Sequence, residues 1–181
     1  MSFLSEYVTL LQTLFLPAEI QESIYDIDLT RLHQKGYTTL ILDVDNTILP
    51  YSKTKLSLKM ETWIETAKQI GLHVFLISNN SKRSRIEKVC IQTNTKGRYF
   101  ACKPLPFTIK SFAKEHQFNT RHSIFIGDQV FTDILVGNWL RGYSILVDPL
   151  GKKLSFIKTL QRQIELALLE KLRSLPHSKN P

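Results

Sequence analysis

The chain has two cysteines, Cys90 and Cys102, among 181 residues. Two are too few for a disulfide framework, and the setting reads as reducing and cytoplasmic. No stretch reaches the roughly 18 apolar residues of a membrane-spanning helix. A basic segment followed by an apolar run is missing from the start, which argues against a secretory signal. Internal repeats and low-complexity tracts are also absent; only 176–181 reads as a loose tail. Acid is scarce beside base, with 16 Asp and Glu against 24 Lys and Arg, a formal net charge of +8. Such an excess suits an anionic partner, whether nucleic acid, lipid headgroups or a phosphorylated small molecule. No nucleic-acid-binding motif accompanies the lysines, so nucleic acid is not expected.

The length fits one domain with a substantial core. Residues 1–37 form a lead-in with five acids against Arg31 and Lys35, whereas 149–175 read as a basic C-terminal helix. Between them, 38–148 alternate short apolar runs with helical patterns. TLILDV (39–44), HVFLIS (73–78), RYFA (98–101), SIFIGD (123–128) and YSILVD (143–148) read as strands buried on both faces. Ser57 to Ile70, Ser81 to Gln92, Pro106 to His116 and Thr132 to Leu140 read as helices, with Trp63 and Trp139 expected in the core. This alternation predicts an α/β fold, a five-stranded parallel sheet with helices on both faces. In such folds chemistry gathers at the carboxyl ends of the strands.

Polar residues fall at those ends. Asp43 and Asp45 follow the first strand, and Ser78, Asn79 and Asn80 the second. Lys103 follows the third and Asp128 the fourth, with Asp133 just inside the next helix. Nearby carboxylates repel unless a cation or shared protons intervene. Oxygen donors favour a hard cation, and Mg²⁺ takes one or two carboxylates while keeping substrate phosphate oxygens. A lysine and a small hydroxyl suit the remaining phosphate oxygens. A carboxylate can attack phosphorus, and a second carboxylate two residues on can serve as acid and base.

Asp43-Val44-Asp45-Asn46-Thr47 resembles the DxDxT signature of the haloacid dehalogenase-like (HAD) phosphatases. Ser78 resembles their second motif, Lys103 in CKP the third, and GDQVFTD (127–133) the fourth. The resemblance spans about 38–148 and implies a Rossmann-like HAD fold. It implies that Asp43 is nucleophile and metal ligand, and that Asp45 is general acid/base and binds metal through its carbonyl. Asp128 becomes the third protein ligand, and Asp133 acts through water or orients Lys103. Ser78, Lys103, Thr47 and the Asn79 backbone hold phosphate. The intervals between motifs leave no room for a separate cap domain, which suits a bulky substrate.

The phrasing of the motifs resembles subfamily IIIA, the branch of YqeG and the mitochondrial phosphatidylglycerophosphate (PGP) phosphatases. That implies a Mg²⁺-dependent phosphatase acting through an aspartyl phosphate on a phospholipid headgroup. The alternatives are a HAD phosphatase of a small soluble ester, a HAD enzyme of nucleic-acid ends, and an inactive HAD-fold binding protein. Two amphipathic segments bear on a lipid substrate. In the first sixteen residues Phe3, Leu4, Tyr7, Val8, Leu11, Leu14 and Phe15 share a stripe opposite Ser5, Glu6, Thr9, Gln12 and Thr13. In Leu154 to Leu175 the stripe is Ile157, Leu160, Ile164, Leu168 and Leu172, ringed by Lys158, Arg162, Lys171 and Arg173. Either can lie on an anionic membrane at its cytoplasmic face, or dock on its own domain. An EF-hand reading of Asp43 onward fails, because its sixth position is Ile48 and its twelfth Thr54. The five histidines show no ligand spacing.

Overall fold

The structure, a computed structural model, describes residues 3–150 and 156–175. The expected tail at 176–181 lies outside them. The chain runs α1 (Phe3–Phe15), β1 (Glu19–Gln21), α2 (Leu29–Gln34), β2 (Thr39–Leu42), α3 (Leu58–Gln69), β3 (His73–Ile77), α4 (Arg83–Thr93) and β4 (Lys96–Arg98). It continues through α5 (Phe107–Glu115), β5 (Ser123–Gly127), a π-helical turn (Val130–Ile134), α6 (Leu135–Trp139), β6 (Tyr143–Val147) and α7 (Phe156–Ser174).

The sheet is parallel throughout, in the order β1-β6-β5-β2-β3-β4. It has six strands, not the expected five. The extra strand, Glu19-Ile20-Gln21, is a three-residue edge strand whose alternation is too short to register in sequence. The third expected strand is also displaced, since β4 occupies Lys96–Arg98 rather than 98–101.

Central strand β2 is buried at every position, which its uninterrupted apolar run requires. Leu40 and Leu42 pack on one side with Met60 and Ile64 of α3 and Ile86 and Val89 of α4. Ile41 faces the other side with Phe75, Phe125, Ile109 and Phe112 of α5 and Val136 of α6. Helices therefore cover both faces. Trp63 packs against the core edge, but Trp139 is half exposed. Cys90 and Cys102 are free thiols.

The termini join through α7. Gln12 of α1 is buried and donates to the carbonyls of Leu172 (2.9 Å) and Leu175 (3.2 Å) at the end of α7. The expected faces of α1 hold only in part: Glu6 and Thr13 are exposed and Phe15 packs on the core, but Gln12 docks inward while Tyr7 and Leu11 are exposed. In α7, Glu165 is buried and accepts from the Phe131 amide at 3.1 Å, and Leu169 and Leu172 are buried. The expected stripe is split, with Leu172 inside but Leu160 and Ile164 exposed at 48% and 52%. Polar groups, not the stripe alone, orient this helix. None of the described helices is long and apolar enough to cross a membrane.

Candidate active site

Strand register brings the polar ends level. Leu42 pairs with Leu76 on one side and Ile126 on the other, and the Asp43 amide continues the ladder to the Ile126 carbonyl at 2.9 Å. Asp43, one residue past that row, and Ser78 and Asp128, each two past it, thus meet at one edge. Past Asp43 the chain turns sharply. Asn46 sits at φ +66°, a left-handed conformation that asparagine tolerates better than most residues. Its amide bonds the Leu49 carbonyl at 2.8 Å, and its side chain accepts from the Tyr51 amide at 3.1 Å. Buried Val44, Ile48 and Leu49 anchor the turn.

At the base of the site lies Lys103, 8% exposed. Its Nζ donates to Asp43 Oδ1 (2.7 Å), Asp133 Oδ1 (2.6 Å) and the Ile77 carbonyl (3.0 Å). Asn79 fixes the loop that carries it, accepting from the Lys103 amide at 2.7 Å and donating to the Lys103 carbonyl at 2.8 Å. Asp133 also accepts from the Gln129 amide at 3.1 Å, so both its oxygens are committed. Gly127 is required here, because a Cβ would fall 2.3 Å from the Asp133 side chain. Thr47 is buried beneath the site and donates to Asp43 Oδ2 at 3.0 Å, with Asp128 Oδ1 at 3.4 Å. It braces the carboxylates and does not line the cleft.

Asp43, Asp128 and Asp133 each bring a carboxylate oxygen within 4.8 Å of the others, all buried. Lys103 bonds two of the three, Asp43 and Asp133, so several like charges are gathered out of water. Burial pushes Asp43 up to about 6 despite the opposing pull of Lys103, with Asp133 adding to the rise. Burial alone would depress Lys103, yet Asp133 and Asp43 outweigh it and raise its pKa above the ordinary lysine value. An all-oxygen, buried set of three carboxylates fits a hard divalent cation. The Asp45 carboxylate stands apart from it.

Asp45 instead faces Ser78, Asn80 and Arg85, the last of which sequence reasoning missed. Its Oδ1 accepts from Arg85 Nε at 2.8 Å, and its Oδ2 accepts from Asn80 Nδ2 at 2.9 Å and Ser78 Oγ at 3.3 Å. Arg85 is braced by the Pro50 carbonyl at 3.1 Å and stands 5.6 Å over the Tyr51 ring. It lies forty positions from Asp45 on an ordinary helical face, and no local pattern marks it. Above these groups opens a cleft of about 360 Å³, bordered by Asp43, Asp45, Ser78, Asn79, Lys103 and also Tyr51, Gln129 and Thr132. A roomier cavity of about 760 Å³ lies at the opposite, amino ends of β3 and β4 and shares none of these groups. The basic helix also reaches the site's rim, where Arg162 donates to the Asp128 carbonyl at 3.0 Å and to Asp148 at 2.8 Å.

The family model described as "Mitochondrial PGP phosphatase" matches residues 5–150. "Probable phosphatase YqeG" of Bacillus subtilis (strain 168) is 29% identical, covering 93% of this chain and 97% of that protein. "Phosphatidylglycerophosphate phosphatase 1, chloroplastic/mitochondrial" of Arabidopsis thaliana is 27% identical over 84% of this chain, which spans about half (48%) of that longer protein. Among solved structures, an uncharacterized protein from Listeria monocytogenes serotype 4b superposes with a TM-score of 0.51 at 13% identity, covering 74% of this chain and 99% of that one. A structure titled "putative HAD family hydrolase" from Streptomyces avermitilis MA-4680 gives 0.50 at 11% identity, covering 71% and 80%. These two share the fold. With the four strand-end motifs assembled at one sheet edge, the chain belongs to the mitochondrial PGP phosphatase family, the YqeG branch of the HAD-like hydrolases, and is a phosphoric monoester hydrolase.

Proposed function

We propose that the protein, acting as one HAD-like domain over 1–181, is a Mg²⁺-dependent phosphatase. It converts phosphatidylglycerophosphate to phosphatidylglycerol through an aspartyl phosphate on Asp43. The observation that carries this reading is the buried ammonium of Lys103 between Asp43 and Asp133, beneath an open cleft. A phosphate entering there meets a fixed positive charge, the Ser78 hydroxyl and the Asn79 backbone. Asp43 attacks phosphorus in line as the bond to the glycerol oxygen breaks, and Asp45 gives that oxygen its proton. Water then attacks the phosphorus, Asp45 takes a proton back, and the Asp43 carboxylate is restored. Asp43, Asp128 and the Asp45 carbonyl, with Asp133 through water, would hold Mg²⁺, which supplies charge neutralisation at the phosphoryl oxygens. The rest of the catalysis is positioning: Asn79 holds Lys103, Thr47 holds Asp43, and Arg85 with Asn80 holds Asp45.

The lipid headgroup is supported by the family match and by the absence of a cap element among the described residues. The basic α7, with Leu160 and Ile164 outward, supports peripheral contact with an anionic membrane from the cytoplasmic side. One observation favours a small soluble ester instead: Arg162 bonds within the protein rather than facing outward. A phosphate-release panel decides between them, with PGP in mixed micelles beside soluble phosphate esters and aryl phosphate. The proposal expects PGP to give the highest kcat/KM; a soluble ester turned over faster would replace it. For the membrane part, failure to sediment with phosphatidylglycerol vesicles at low salt counts against contact.

A further inference from the structure

Beside the catalytic cleft lies a second cavity of about 270 Å³, between the loop after β2 and the first turns of α4. Tyr51 and Asn80 form part of the walls of both. Its other walls carry Lys53, Lys82, Arg85 and Lys88, and no aspartate or glutamate lines it. Of these cations only Arg85 has a carboxylate partner, Asp45; among the described residues no salt bridge reaches Lys53, Lys82 or Lys88. Like charges gathered around one cavity repel one another, and here the protein supplies almost nothing to offset that. The first turn of α4 adds to the imbalance, with no acidic residue and no side-chain cap from Lys82.

Arg85 ties this cavity to the chemistry. Its guanidinium forms part of the cavity wall while its Nε holds Asp45 at 2.8 Å. The cleft has its own cation for a phosphoryl group in Lys103, so the neighbouring charges are surplus to the hydrolysis itself. A substrate bearing one phosphate leaves them unneutralised, whereas a substrate with a second anionic group neutralises them as it binds.

We propose that this cavity is a second anion subsite, which takes another anionic group of the phosphomonoester while the terminal phosphate lies over Asp43. The identification of that group rests on the PGP reading: it is the phosphodiester, one glycerol unit from the scissile phosphate. The subsite then discriminates by charge, favouring glycerophosphate-type diphosphates over simple monoesters whether or not acyl chains are attached.

Two measurements on the full chain test this. The first is titration of glycerophosphoglycerol, which has the diester and no scissile phosphate, into wild type and into Lys82→Ala/Lys88→Ala. Both lysines are exposed, so the fold tolerates the change. Binding is expected to weaken about tenfold or more, to survive in Lys82→Arg/Lys88→Arg, and to survive when two exposed lysines of α5 are removed instead, Lys110→Ala/Lys114→Ala. Wild type that fails to bind, or equal binding by wild type and the first variant, overturns the proposal. The second compares kcat/KM for deacylated PGP with that for glycerol 3-phosphate, with short-chain PGP as a third arm that isolates the acyl chains. The ratio of the first two falls in Lys82→Ala/Lys88→Ala if the subsite acts during turnover; an unchanged ratio also overturns it. Diester binding that depends on the lysines without PGP hydrolysis keeps the subsite and sinks the PGP reading. PGP hydrolysis with lysine-independent binding does the reverse.

Discussion

Replacing Lys103 with methionine tests the charge arrangement at the base of the site. The ammonium bonds Asp43, Asp133 and the Ile77 carbonyl, all within 3.0 Å and out of water. Methionine fills similar space but leaves two buried carboxylates without their cation and one carbonyl without its donor. Breaking a buried pair by removing one partner costs about 3–5 kcal/mol. In a chain of this size each kcal/mol lowers Tm by about 2–4 °C, so the expected fall is roughly 6–20 °C. The carboxylates limit the loss by taking up protons, which makes the variant's deficit smaller at acid pH than at neutral pH. Mg²⁺ should offset more of the deficit in the variant than it adds to wild type, because the ion then faces three carboxylates with no competing ammonium. Thermal unfolding at neutral and acid pH, with and without Mg²⁺, measures all of this. A Lys103→Met protein whose Tm stays within about 2 °C of wild type at neutral pH without Mg²⁺ would refute the reasoning, since the carboxylates would then not depend on that charge.

Further outcomes follow from individual contacts. Arg85→Ala frees the Asp45 carboxylate, and kcat should fall about 10–100-fold for an alkyl phosphate and less for an aryl phosphate, whose leaving group needs little protonation; equal losses on both would exclude a role through Asp45. Gly127→Ala drives a methyl into Asp133, and denaturant unfolding should register a loss of about 1–3 kcal/mol together with reduced turnover. Because Asp43 is raised to about 6, it is largely protonated at pH 5 and must release that proton as a cation binds. Calorimetric Mg²⁺ affinity should therefore be roughly tenfold weaker at pH 5 than at pH 7, and a flat profile would contradict this.

Much of the site was legible because strand ends are where α/β folds expose chemistry. Asp43, Ser78 and Asp128 each follow a buried apolar strand, and the parallel register brings those ends together; Lys103 reaches them from the loop after β4, held by Asn79. The details that escaped sequence reasoning depend on contacts between distant segments. Arg85 looks like any helical arginine until α4 is laid beside the β2 loop. Thr47 reads as a phosphate ligand from its motif, but the turn at Asn46 places its hydroxyl under Asp43. Gln12 belongs to the polar side of an isolated helix, yet the unsatisfied carbonyls at the end of α7 draw it inward. Edge strand β1 is three residues of mixed polarity, and only pairing with β6 makes it a strand.

The central claim is that Asp43 attacks the phosphorus of PGP with Mg²⁺ present. Phosphate release from PGP in mixed micelles by wild type and by Asp43→Asn, each with Mg²⁺ and with chelator, tests it most directly. The account predicts release by wild type with Mg²⁺ only, and none by Asp43→Asn although its fold is retained. Equal release by wild type and Asp43→Asn would contradict it.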